Sequence, residues 1–206
     1  MSNLELIVSI SLIHLGAVMS PGPDFIVVVK NALTYSRKIG VYTAVGIGFG
    51  IIVHILYTFL GIGILIKESS SIYRVLKYIG AVYIVYIGVM SFVAKTSKQQ
   101  IITAEQQKEI SNFKAFRIGF ITNALNVKAS MFFLGLFTTM ISPETNKNVL
   151  YFLAVLLVFQ TIFWFILVSH FFSRAKIQEK YFQYENVINK IFGLLLILLA
   201  LKILFF

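Results

Sequence analysis

The chain has 206 residues, 58% of them hydrophobic and 13% charged, and a formal net charge of +10. A soluble domain carries roughly a quarter charged residues, so this chain lacks the polar groups to cover a water-facing surface; it reads as an integral membrane protein. It has no cysteine, which excludes disulfides, thiolate metal sites and thiol–disulfide relays.

Segment one runs from about Leu4 to Val29 and is uncharged from Leu6 to Pro23. It has no basic start and no small-residue cleavage site, so it is expected to stay in the mature protein. Ser20-Pro21-Gly22-Pro23-Asp24 interrupts it. Pro21, Gly22 and Pro23 break the helical hydrogen bonding where an acidic side chain stands, which in a membrane marks a candidate site. Segment two is uncharged from Ile39 to Ile66 and rich in small residues. Gly46 and Gly50 form a GxxxG that lets another helix approach closely. Segment three, Tyr78 to Ala94, contains Gly80, Tyr83, Tyr86 and Gly88. Residues 96–111 are polar, rich in glutamine and mixed in charge, and read as a linker that nearly bisects the chain. Segment four follows from about Ala115 to Ile141, segment five from Asn148 to Ser173, and segment six from near Val187 to the end.

The predicted fold is therefore all-α, with six transmembrane helices in one transmembrane domain. Residues 4–95 and 112–206 form two three-helix units. Three is odd, so two similar halves would be inverted relative to one another, the plan of many secondary transporters. The connections after segments one, three and five carry twelve Lys and Arg, and the remaining connections with the C-terminus carry five. Positive charge favours the cytoplasmic side, which puts the 96–111 linker inside and both termini outside. The basic residues thus read as topology signals in the bilayer rather than as a nucleic-acid surface.

Asp24 is the acidic residue that lies well inside an apolar stretch. Two readings are open. It could cap a restarting helix near the cytoplasmic interface, about 30 Å along from Leu4. It could instead be a carboxylate held within the protein to bind a substrate ammonium or a proton. Lys128 is about 20 Å from either end of segment four, too far for its side chain to reach water along the helix. It needs a cavity, a carboxylate or free carbonyls, and Asp24 is the natural partner. Asn123, Asn126 and Ser130 share one face of a regular helix, while Lys128 lies about 200° from Asn126. Both can line one cavity only if the helix unwinds between them. His14, His54 and His170 are isolated and read first as packed, hydrogen-bonded residues. No metal-ligand spacing and no nucleotide loop is present, so no cofactor is expected, and transport would draw on an ion gradient.

At these residues the chain resembles the lysine exporter superfamily, in its homoserine/threonine resistance branch. Ser20-Pro21-Gly22-Pro23-Asp24 is similar to the family's S/T-P-G-P-D/N motif. Ser36-Arg37-Lys38-x-Gly40, the Gly80 to Gly88 pattern, Phe116-x2-Gly119-x3-Asn123-x2-Asn126-x-Lys128 and Gly193 also resemble it. Where the family usually has Asn-Pro-Lys, this chain has Asn126-Val127-Lys128, and Val127 removes the covalent cause of a helix break. The resemblance implies a non-enzymatic exporter of small amino acids or their analogues in a bacterial inner membrane, driven by protons. Asp24, Asn123, Asn126 and Lys128 would contact the substrate. Gly46, Gly50, Gly80 and Gly88 would serve packing. A homo-oligomer is compatible with this reading. The alternatives are export of another small solute and a membrane scaffold subunit that transports nothing itself.

Overall fold

A computed structural model describes residues 2–68, 70–93, 110–142, 144–172 and 174–205. The described residues form an all-helical protein in the order α1 (Asn3–Met19), α2 (Pro23–Thr34), α3 (Arg37–Glu68), α4 (Ser70–Val93), α5 (Asn112–Ala124), α6 (Val127–Met140), α7 (Lys147–Phe171) and α8 (Ala175–Phe205). Among the described residues two stretches, Arg37–Phe59 and Lys147–Phe171, are long and apolar enough to cross a membrane. Each of two bent pairs, α1 with α2 and α5 with α6, qualifies when taken as one broken span, and each bends by 55°. The 96–111 linker lies outside the described residues except for Ile110 and Ser111.

Local chemistry explains the helix ends. Ser2 caps α1 and accepts from Glu5 N, while the Glu5 carboxylate accepts from Ser2 N, a reciprocal capping box. Pro21 forces Ser20 into extended backbone (φ −68°, ψ 128°), and α1 stops there. Pro23 then occupies the first position of α2, where its missing N–H takes nothing from the helix. Ser111 caps α5 by accepting from Lys114 N.

Glycines set how closely the helices meet. A methyl group on Gly46 would overlap Phe116 O, and one on Gly119 would overlap Thr43 O, so α3 and α5 touch backbone to backbone. A methyl on Gly50 would come within 2.8 Å of Asn123 Oδ1. Gly88 and Gly193 meet in the same way where α4 crosses α8. Such contacts gain dispersion and leave no lipid gap between helices. Gly80 lies in α4, but its surroundings fall outside the described residues, as do those of Tyr83.

Two apolar cores result. One gathers Ile10, Ile51, Phe133, Leu136, Phe137, Leu153, Leu157 and Leu196. The other gathers Phe25, Val28, Val29, Ala44, Ile47, Phe165 and Val168. Residues of both cores, among them Ile51 and Phe133 of the first and Phe25 and Phe165 of the second, wall the cavity at the two helix breaks.

Candidate functional site

The site is built from the two breaks, and each supplies what the other lacks. At the first, α1 ends in carbonyls that have no helical partner. Lys128 Nζ donates to Ser20 O and Pro21 O, each at 3.3 Å, and to Ser20 Oγ at 3.0 Å. The ammonium thus sits at the negative end of the α1 dipole. At the second, Asn123 Nδ2 and Asn126 Nδ2 both donate to Asp24 Oδ2, at 2.9 and 3.0 Å. Asp24 itself lies in the first turn of α2, where a carboxylate meets the positive end of a helix.

Segment four does break, and it does so without proline. Asn126 is the N-cap of α6: its Oδ1 accepts from Lys128 N at 3.0 Å and from Ala129 N at 3.4 Å. Its extended backbone (φ −75°, ψ 104°) replaces the helical turn that would have separated Asn126 from Lys128 by about 200°. Val127 takes the first helical position, where proline is favoured but is not needed. The carbonyl of Asn123, freed by the break, accepts from Asn126 N at 2.8 Å and from His54 Nε2 at 2.9 Å. A carbonyl can only accept, so His54 Nε2 carries hydrogen.

The four residues singled out from the sequence thus lie together. Asp24, Asn123, Asn126 and Lys128 line one cavity with Ser20 and Gly22. Of the partners expected for Lys128, the ammonium takes free carbonyls, those of Ser20 and Pro21 just beyond α1, with the Ser20 hydroxyl, rather than an ion pair with Asp24. A broken helix offers these acceptors. Asp24 Oδ1 and Asn123 Oδ1 are buried without a hydrogen-bond partner. Gly22 is the N-cap of α2, and a side chain there would meet Lys128 Nζ at an ordinary 3.6 Å. Pro21 and Pro23 make the break; Gly22 is not sterically required for it.

Other polar groups at the site were not among the residues expected to contact substrate. Ser20 Oγ donates to Asn189 Oδ1 at 3.3 Å, tying α8 to the first break. His14 is buried and also lines the cavity. Its Nδ1 lies 2.8 Å from Gln160 Oε1 on α7. Gln160 and Thr161 stand in the middle of an otherwise apolar segment, which is the signal that could have marked them. The cavity measures about 50 Å³, room for a few waters. An amino acid is larger than this cavity. Among the described residues no three His, Asp or Glu side chains gather as a metal ion would need.

A protein-family model described as LysE type translocator matches residues 15–205. The chain belongs to the LysE type translocator family. This is a family of membrane transporters, not enzymes. The translocator is 30% identical over 192 residues to the uncharacterized membrane protein YrhP of Bacillus subtilis, covering 90% of this chain and 91% of that one. It is 25% identical over 179 residues to the threonine efflux protein of Escherichia coli, covering 86% and 87%. It is 24% identical over 186 residues to the membrane protein YahN of the same organism, covering 90% and 83%. No solved structure matches the translocator.

Proposed function

We propose that this translocator exports small zwitterionic amino acids, threonine-like or homoserine-like, from the cytoplasm in exchange for protons. One observation carries the reading. A carboxylate with a buried, unpartnered oxygen and a lysine ammonium line the same cavity, at two helix breaks more than 100 residues apart. A zwitterion presents the complementary pair of charges at the spacing of one carbon atom.

The substrate ammonium goes to Asp24 Oδ1, the oxygen that Asn123 and Asn126 leave free. Its carboxylate goes to Lys128 and to the first N–H groups of α2, where no side chain provides a cap. A proton arriving at Asp24 Oδ1 removes the charge that holds the ammonium. Proton and substrate therefore exclude one another at one atom, which is the condition for exchange. The similarity to threonine efflux proteins supports the choice of solute.

The topology belongs to the same proposal. Six crossings form two inverted three-helix units, residues 4–95 and 112–206. The 96–111 linker is cytoplasmic, and both termini face outside a bacterial inner membrane. The equal 55° bends of α1/α2 and α5/α6 support the inverted plan.

Efflux of labelled threonine and homoserine from preloaded cells, with and without the chain, tests this reading. Faster loss of label with the chain present is expected. Equal loss, together with no movement by the purified chain in liposomes, would leave a scaffold subunit as the better account.

A further inference from the structure

We propose that His14 is the side-chain subsite of the transport cavity: an imidazole nitrogen, held only by a long contact with the Thr161 hydroxyl, that accepts one hydrogen bond from a donor on the substrate's side chain. The inference rests on the amino-acid export reading and adds the residue that distinguishes one side chain from another.

The hydrogen bonds around His14 fix which nitrogen is the acceptor. Gln160 Nε2 donates to Ser11 O at 3.1 Å, and a carbonyl can only accept. The Gln160 amide is thereby oriented, and its Oε1 must accept from the His14 Nδ1–H at 2.8 Å. In the neutral ring the remaining nitrogen, Nε2, is then an acceptor. It faces the Thr161 hydroxyl at 3.4 Å, longer than a good hydrogen bond. Thr161 lines the cavity and Gln160 does not, so the Nε2 edge is the one turned toward the cavity.

Position and surroundings fit the role. His14, on α1, lines the same cavity as Asp24 and Lys128. Phe132, Phe133 and Phe165 make the apolar part of the cavity wall, and Thr161 lines it beside His14. A buried substrate hydroxyl needs an acceptor, and at His14 Nε2 it need only displace Thr161 from an already long contact.

Valine tests this, because it replaces the threonine hydroxyl with a methyl group at nearly constant shape. Transport of labelled threonine and valine is measured for the purified chain in liposomes. The wild type should favour threonine by about tenfold or more, the discrimination a site built to bond a hydroxyl can supply. His14→Phe should move both at similar rates, with the loss falling on threonine. Should His14→Phe move neither, Thr161→Val decides. Its missing hydroxyl no longer competes for Nε2, so the half-saturating threonine concentration should fall by about threefold or more, and an unchanged or higher value overturns the proposal. Equal transport of the two amino acids by the wild type, or a threonine preference kept by His14→Phe, also overturns it while leaving export itself intact. If the wild type moves neither amino acid, the export reading fails and this inference with it.

Discussion

Asn126 donates to Asp24 Oδ2 at 3.0 Å with its amide nitrogen, while its amide oxygen caps the helix that carries Lys128. One side chain thus holds the acidic break and opens the basic one. Neither half of the site is complete alone: α1 ends on carbonyls that need a cation, and α2 begins with a carboxylate that needs donors.

Two substitutions separate these duties of Asn126. Asn126→Ala removes the cap, worth about 0.5–2 kcal/mol, together with one of the two donors to Asp24. It should lower the thermal midpoint of the purified protein by several degrees and abolish transport. Asn126→Ser keeps a capping oxygen but is too short to reach Asp24. It should melt close to wild type and still fail to transport. Thermal melts in detergent and uptake into liposomes check both, and full transport by Asn126→Ser would show that the contact with Asp24 is dispensable.

Val127→Pro should be tolerated. Val127 is 66% exposed at the first position of α6, and Asn126 before it already has the extended backbone that a following proline imposes. Proline there removes only freedom of the unfolded chain, which stabilises by about 0.4–1 kcal/mol where the native backbone already fits. The expected result is an equal or slightly higher thermal midpoint with transport retained. A large drop would mean that the Val127 N–H or side chain is needed.

The first break was legible in the sequence because proline states its backbone consequence directly. The second was legible only in part. Lys128, stranded in an apolar run, announced that something must meet it, but the residue that bends the chain there is an ordinary N-cap asparagine. Asn123 and Asn126 could be placed on one helix face by spacing; that they converge on Asp24, about 100 positions away, could not. The same holds for His14 and Gln160, separated by 146 residues. Periodicity reports which face of a helix is polar, not which other helix that face will meet. The close approach at Gly46 and Gly50 was visible as a GxxxG, whereas its partner strip on α5, with Gly119 and the Phe116 and Phe120 backbone, was not.

Proton movement driven by threonine through the purified chain in liposomes tests the role of Asp24 most directly. An outward threonine gradient across vesicles holding a pH-sensitive dye should drive protons inward through the wild type. Asp24→Asn keeps the size of the side chain but can carry neither a proton nor an ammonium in the same way, and it should give no threonine-driven pH change. A pH change of wild-type size in Asp24→Asn would contradict the exchange of substrate and proton at this residue.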